Sequence, residues 1–236
     1  MSRPASVLRL HLTKRLHVFG VPATILGIVI AVSLLIAVGM SRFGVDTSTV
    51  EHLENARYNS GVLWSLPGFL IYLGVQAVST TFPFGMSLGT TRRSYSAGTA
   101  LYFALQSAYV AAISMALYGI EIATNHWFMN APVFDVKALG SGSVFVVGAT
   151  VFTLAFFSLT LGGLFGALYV KAGSRGPLIL AITLGIALVL LLVILAPILP
   201  SIAASLTRWS ILATALGISI AAIAGEYFAL RTASVR

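Results

Sequence analysis

Two adjacent arginines are the clearest candidates for chemistry in this sequence. Arg92 and Arg93 lie in the middle of the stretch 82–101, FPFGMSLGTTRRSYSAGTAL. The stretches 58–91 and 94–120 on either side carry no charged residue. A charge near the centre of a bilayer costs several kcal/mol, so two cations between long apolar runs must reach water or lipid headgroups. We therefore predict a short basic loop between two transmembrane helices, whose guanidinium groups bind acidic groups of a partner or of lipid.

A second candidate is Glu226, the one acid that falls within a predicted membrane span. It lies in Gly225-Glu226-Tyr227, close to the end of the last apolar run. An intramembrane carboxylate is by default a candidate for transport or gating. The alternative is a structural role, in which Glu226 reaches the interface or pairs with Arg231 or with another arginine on the same side. The sequence leaves both open.

The residues that common catalytic sites require are missing. Each of the three lysines (Lys14, Lys137, Lys171) follows a residue other than glycine, which excludes the Gly-Lys-Ser/Thr of a P-loop. The four histidines lie outside the predicted spans, no aspartate falls within one, and there is no cysteine. Ser141 and Ser143 therefore have no base to activate them, and Gly-Ser-Gly-Ser is more typical of a flexible start to a helix. We expect no catalytic residue, no metal and no cofactor in this chain.

The elements that must position these residues are membrane spans. Of the 236 residues, 58% are hydrophobic and only 8% are charged, and the mean hydropathy is +0.99. A soluble domain carries about a quarter charged residues, so the chain belongs to the membrane class. A span takes roughly 20 apolar residues. The prediction is an all-α membrane protein with a single polytopic domain over 1–236 and six transmembrane helices at about 20–40, 61–81, 98–120, 144–169, 178–196 and 210–230.

The orientation of these spans follows from the positive charges. Of the 14 Lys and Arg residues, ten lie in alternate segments, namely the amino end, the Arg92 loop, the loop after span 4 and the carboxyl end. Those segments hold no acid, whereas the other three loops hold five of the six acids. The positive-inside rule then places both termini and the Arg92 loop in the cytoplasm. The net charge of +8 is explained by this orientation, and no nucleic-acid partner is expected.

The first nineteen residues are predicted to form an amphipathic helix that lies in the membrane interface. Leu8, Leu12, Leu16 and Phe19 fall on one helical face, while the cations point elsewhere. The alternative is a basic tail that only orients the first span.

Small residues spaced four apart predict close contacts between helices. Such stripes let helix backbones approach where lipid supplies no hydrophobic drive. Whether they pack within the chain or between two copies is open at this point. They are Gly162 and Gly166 in span 4, and Ala213, Gly217, Ala221 and Gly225 in span 6.

The Arg92 loop resembles the first cytoplasmic loop of ABC-2-type ABC transporter permeases. The resemblance rests on Leu88-Gly89-Thr90-Thr91-Arg92-Arg93, on Tyr95, and on the Gly-Thr-Ala-Leu run from Gly98 that opens the next span. The layout of six spans with both ends inside and no nucleotide site is similar too. One departure is the short linker between spans 5 and 6, where members that move large polymers often have a longer re-entrant segment. The motif covers about twenty residues, and the layout covers the whole chain.

This resemblance implies a membrane subunit of an ATP-driven transporter, an exporter in a bacterial cytoplasmic membrane. Residues 84–97 would form a coupling helix in a cleft of a separate ATP-binding subunit, which would hold ATP and Mg²⁺, and a second permease chain would complete the pathway. Two other classes remain open: a self-sufficient ion-coupled carrier or channel that uses Glu226, and a non-transporting membrane anchor or regulator. Arg92-Arg93 could also be a topology signal alone. The residues implied in coupling are Met86, Leu88, Gly89, Thr91, Arg92, Arg93 and Tyr95.

Overall fold

The computed structural model describes residues 3–13, 15–47, 49–59 and 61–233, and every regular element in these ranges is helical. Lys14 and Arg236, which contribute to the predicted charge asymmetry, lie outside the described residues. The α-helices, in chain order, are α1 (Arg3–His11), α2 (Val21–Arg42), α3 (Val50–Ala56), α4 (Gly61–Ser65), α5 (Pro67–Ser79), α6 (Thr81–Ser87), α7 (Arg92–Ala123), α8 (Val144–Ala172), α9 (Arg175–Leu195), α10 (Leu199–Ser205) and α11 (Arg208–Arg231).

Six helical segments in the described part of the chain are long and apolar enough to cross a membrane. This confirms the predicted number of long apolar helices. Their limits are Leu16–Arg42, Val50–Ser87, Arg92–Ala123, Val144–Ala172, Arg175–Ile202 and Arg208–Arg231.

Several helix boundaries differ from the predicted ones. The amino-terminal helix ends at His11 rather than at residue 19, and Leu16–Gly20 is a π-helical turn that leads directly into α2. The predicted interfacial face is not one continuous helical stripe, because Leu8 lies in α1 whereas Leu16 and Phe19 lie in the separate π-helical turn. Pro83 does not end the second span but lies inside α6, where it occupies the first turn and loses no helical hydrogen bond.

The third span begins six residues earlier than predicted, so the basic loop is short. Helix α7 starts at Arg92 itself, and only residues 88–91 separate it from α6. At its other end α7 runs to Ala123 and therefore includes Glu121, which the sequence placed in the following loop. Helix α7 is 32 residues long, about 48 Å at 1.5 Å per residue, which exceeds the 30 Å of a hydrocarbon core.

The chain divides into two compact units. One comprises Met1–His11, Ile71–Leu101 and Leu159–Arg236, and the other comprises Leu12–Leu70 and Tyr102–Ser158. The first contains α1, the Arg92 loop and α11; we call it the Arg92 unit. The second contains the two loops at 43–60 and 124–143; we call it the two-loop unit.

The small residues of α8 pack within the chain. A Cβ at Gly162 would lie 2.1 Å from the carbonyl oxygen of Ile71, and one at Gly166 would lie 2.7 Å from that of Val75. Gly74 in α5 faces the same contact, 2.3 Å from the carbonyl oxygen of Leu159. Backbone meets backbone here, so glycine is required at all three positions.

The stripe in α11 behaves differently. At Gly225 a Cβ would lie 3.1 Å from the Leu164 side chain, but at Gly217 no atom of the described residues lies within 4 Å. Ala213 and Ala221 are exposed. Among the described residues, the amino-terminal half of the stripe therefore does not form the close helix contact that its spacing predicted.

Candidate functional site

The turn between α6 and α7 presents an exposed surface that is both apolar and basic. Phe84 is 52% exposed, Leu88 is 65% exposed, and Arg93 points to solvent. Gly89 between them has φ +76°, with no atom of the described residues within 4 Å of a Cβ position. We call Phe84, Leu88, Gly89 and Arg93 the 84–93 surface. Phe84 lies in the second long apolar segment, whereas Leu88 and Gly89 lie in the turn that follows it, so this end of the segment exposes an apolar side chain in the same short stretch of chain as the cation Arg93.

Tyr95 is not part of this surface, because its side chain is buried beneath it between α7, α5 and α6. Its side chain is fully buried, and its hydroxyl donates to the carbonyl oxygen of Ala77 at 2.9 Å and shares a hydrogen bond with Thr81 Oγ1 at 2.6 Å. The ring packs edge-to-face on Phe82, with centroids 5.1 Å apart. It also lies against Gly85, where a Cβ would be 3.1 Å from the ring. Tyr95 thus ties α7 to α5 and α6, and it is not available to a partner.

Arg92 is also engaged inside the chain. Its Nη1 donates to the carbonyl oxygen of Ala233 at 2.8 Å and to that of Leu230. The guanidinium carbon lies 5.7 Å from the centre of the Phe82 ring, within cation–π range. The last carbonyls of a helix have no partner of their own and carry partial negative charge, so Arg92 caps the carboxyl end of α11. Of the two arginines, only Arg93 is free to contact a partner.

The other predicted coupling residues also divide into those that make contacts within the chain and those that are exposed. Thr91 is the N-cap of α7, since its Oγ1 accepts from the backbone N–H of Ser94 at 3.2 Å. Met86 is half-buried. Leu88 and Gly89 stay on the exposed surface. Of the predicted coupling residues, Leu88, Gly89 and Arg93 are therefore exposed, whereas the side chains of Thr91, Arg92 and Tyr95 make hydrogen bonds within the chain.

The amino-terminal helix packs on the beginning of α7. A Cβ at Gly98 would lie 2.6 Å from Cβ of Val7, so this glycine is needed for a helix crossing and not for a sharp turn. His11 Nε2 and Thr99 Oγ1 share a hydrogen bond of 3.1 Å, and the His11 ring lies 6.0 Å from that of Tyr95. Burial lowers the pKa of His11 to about 4. His11 therefore stays neutral at physiological pH while it holds α1 against α7.

Glu226 is buried in the Arg92 unit, with 1% of its surface exposed. Its Oε1 atom has no hydrogen-bond partner, and the carboxylate forms no ion pair among the described residues. Arg231, the neighbour proposed from the sequence, is exposed. Among the described residues, therefore, no arginine forms an ion pair with Glu226; Arg236 lies outside them. A buried acid without a partner is costly, and such groups mark functional positions more often than structural ones.

The two-loop unit contains a buried carboxylate that the sequence did not single out. Glu121 is fully buried at the end of α7. Its Oε1 accepts from the backbone N–H groups of Val133 and Asp135 at 3.1 and 3.0 Å, and its Oε2 accepts from that of Phe134 at 2.7 Å and from Trp127 Nε1 at 3.3 Å. A helix carboxyl end disfavours an acid. Here three successive N–H groups compensate by forming an anion-binding concavity.

Asp135 joins the two loops of this unit. Its Oδ2 accepts from Arg57 Nε at 3.0 Å, from Arg57 Nη2 at 2.6 Å and from His126 Nε2 at 3.0 Å. Burial acts to raise the pKa of Asp135, but the hydrogen bonds from His126 and Arg57 outweigh it, and the pKa lies below its usual value. Glu54 extends the network to Arg57 at 2.5 Å and to Lys137 at 3.3 Å. The ionised network fixes the two loops to each other.

The segment held by these carboxylates has an unusual backbone. Asn125, His126, Trp127, Phe128 and Asn130 all have φ between 50° and 61°. The left-handed region costs a residue with a side chain roughly 1–2 kcal/mol, less for asparagine. No local sequence pattern indicates such a run, and the partners of Glu121 and Asp135 lie 6–78 residues away in the chain. The sequence offered one indication of the network around Asp135, namely that residues of opposite charge occur in two loops on the same predicted side of the membrane.

No group of three or more His, Asp or Glu side chains in the described part of the chain is arranged to hold a metal ion. Comparisons with protein-family models, with curated proteins and with solved structures find no match to this chain.

Proposed function

We propose that this chain is the membrane-spanning subunit of an ATP-driven transporter, an exporter whose energy comes from a separate ATP-binding subunit. ATP and Mg²⁺ would be bound by that partner, and two membrane subunits would line the pathway. Both termini and the 84–93 surface would face the cytoplasm of a bacterial cell, as the charge distribution favours.

The observation that carries the proposal is the 84–93 surface itself. It exposes Phe84 in α6, Leu88 in the four-residue turn that follows, and Arg93 at the start of α7. An apolar pair beside a cation suits a cleft with a hydrophobic floor and an acidic rim on a soluble partner. Phe84 and Leu88 lie four residues apart across the end of α6, so one short helical turn presents both.

The support behind this surface favours the transmission of a movement. Tyr95 holds α7 to α5 and α6, and Arg92 holds the start of α7 to the end of α11. A partner that pushes on Leu88 would therefore displace the ends of α7 and α11 together. We propose that nucleotide-driven closure of the ATP-binding subunits drives such a displacement and switches the pathway between its two open states, by the rigid-body rocking common in transporters.

The test is copurification of the tagged chain in mild detergent, followed by mass spectrometry of what is retained. We expect an ATP-binding subunit near one-to-one, released by Arg93→Glu and by Leu88→Glu. Arg175→Glu is the matched control, because Arg175 is also exposed at the start of a span but lies outside the 84–93 surface. Recovery of the chain without an ATP-binding subunit, or equal release by Arg175→Glu, would refute the proposal.

A second candidate function is an ion-coupled carrier or channel. The buried Oε1 atom of Glu226, which has no hydrogen-bond partner among the described residues, favours it. The two functions are separated by the energy source. In proteoliposomes without ATP, a Glu226-dependent carrier moves protons or ions and loses that movement in Glu226→Gln. An ATP-driven subunit that is reconstituted alone shows no such flux, whether position 226 is glutamate or glutamine.

A further inference from the structure

The two-loop unit contains a cavity of about 320 Å³. One wall is the carboxyl-terminal half of α2, the second is α3 with the turn after it, and the third is the segment 130–132. Pockets that bind small molecules start at about 300 Å³, so this volume is sufficient for a small ligand.

The walls of this cavity differ in chemistry. Helix α2 contributes Ile36, Ala37 and Met40, which are apolar, and one polar residue, Ser33. On the opposite side, α3 contributes His52 and Asn55. A ligand that fills the cavity would meet a largely apolar surface on one side and hydrogen-bonding groups on the other.

The polar wall can both donate and accept. In the described part of the chain, the imidazole of His52 and the amide of Asn55 make no hydrogen bond to another side chain or carbonyl. Asn59 Oδ1 accepts from the N–H of Gly61 at 2.9 Å, which leaves its NH₂ group available. An amide offers two donors and an acceptor, so these side chains can bind a polar head that does both.

The third wall is held in place by the strained segment. Asn130 has φ 50°, and its Nδ2 donates to the carbonyl oxygen of Thr47 at 3.3 Å. Beyond it, residues 133–135 are fixed by the carboxylate of Glu121. A wall pinned at both ends gives the cavity a defined shape without a ligand, which lowers the cost of binding.

We propose that this cavity is a binding site for a small uncharged amphiphile, with an amide- or hydroxyl-like head against His52 and Asn55 and a short apolar chain against Ile36 and Met40. An ionised head is disfavoured because the described lining has no carboxylate, lysine or arginine to pair with it, and a charge taken out of water without a partner is costly. The site is built from residues of the two-loop unit alone, and the proposal does not depend on the proposed function.

The absence of cysteine from the chain makes a direct test possible. Ala56→Cys places a single thiol on the cavity wall, and Val50→Cys places one at the other end of α3, at a position that is 78% exposed. The rate of maleimide labelling is measured in nanodiscs with three eight-carbon probes that differ only in the head: octanamide, octylamine and octanoate.

We expect octanamide to slow labelling of Ala56→Cys at least fivefold and to leave Val50→Cys unchanged. Adding Asn55→Leu to Ala56→Cys should abolish that protection, while octylamine and octanoate should protect at least tenfold more weakly. If Ala56→Cys does not fold, Ala37→Cys on the α2 wall takes its place. Equal protection at both cysteines, no protection by octanamide up to its solubility limit, or stronger protection by a charged probe would overturn the proposal.

Discussion

Replacement of Arg92 by alanine should destabilise the protein, whereas the same change at Arg93 should not. Arg92 Nη1 donates to the carbonyl oxygens of Leu230 and Ala233, and hydrogen bonds from charged groups are worth about 1.5–3 kcal/mol each. Because Arg92 is half-buried, solvent screens part of this, and we expect a loss of about 2–3 kcal/mol. Arg93 is exposed, and a change there should stay within about 0.5 kcal/mol.

Two measurements check this prediction in detergent-solubilised protein. The apparent melting temperature of Arg92→Ala should fall by about 5 °C or more, and hydrogen exchange should speed up at the carboxyl end of α11. Arg92→Lys should lie between alanine and the native residue, since an ammonium keeps the positive charge near the carbonyl oxygens of Leu230 and Ala233 but lacks the planar guanidinium that lies over Phe82. The reasoning is refuted if Arg92→Ala melts with the native protein, or if Arg93→Ala is equally destabilising.

Three further predictions concern packing, pH and the buried carboxylate. Gly162→Ala should destabilise by about 3 kcal/mol or more, because the added methyl would meet a carbonyl oxygen at 2.1 Å; thermal unfolding measures this. Acidification from about pH 6.5 towards 4 should loosen α1, because His11 is neutral in the folded state with a pKa of about 4 and takes up a proton more readily when unfolded, at about 6.5. Since each pKa unit is worth 1.36 kcal/mol, the loss is limited to about 3 kcal/mol, and hydrogen exchange of α1 follows it. Glu121→Gln should destabilise by about 2–4 kcal/mol, because an NH₂ group would face backbone N–H donors.

Each of these has a matched control. Gly217→Ala adds a methyl with no atom of the described residues within 4 Å and should be neutral or stabilising by up to about 1 kcal/mol. His11→Gln should remove the acid-dependent loosening of α1. Glu51→Gln, at an exposed position, should leave the melting temperature unchanged. The packing argument is contradicted if Gly217→Ala lowers the stability as much as Gly162→Ala does. The pH argument is contradicted if α1 of His11→Gln still loosens on acidification. The argument for the buried carboxylate is contradicted if Glu51→Gln and Glu121→Gln lower the melting temperature equally.

The class of the protein and the number of its spans could be predicted from the sequence because they depend on local properties. An apolar run of about twenty residues is a span wherever it occurs, and the six runs all appear as helices. The position of the exposed basic turn was predictable for the same reason, since Arg92 and Arg93 interrupt a long uncharged stretch.

The roles of individual residues were not predictable in this way. Two neighbouring arginines look alike in the sequence, yet α11 ends beside one of them, and its free carbonyls take up the guanidinium of Arg92. Gly98 reads as a helix boundary, but α1 crosses α7 there and leaves no space for a Cβ. In both cases the deciding contact comes from a segment more than ninety residues away in the chain.

By itself, the sequence determined the hydropathy of each segment, the asymmetry of charge between alternate loops and the lack of common catalytic motifs. Each of these can be read from neighbouring residues without knowledge of the fold. Tertiary structure alone decided the partners of buried polar groups. Glu121 finds three N–H donors in a left-handed segment, Asp135 finds Arg57, and Glu226 finds no partner among the described residues. The physical reason is that a buried charge is satisfied by whatever donors the fold brings within about 3 Å, and those donors leave no periodic signal in the sequence.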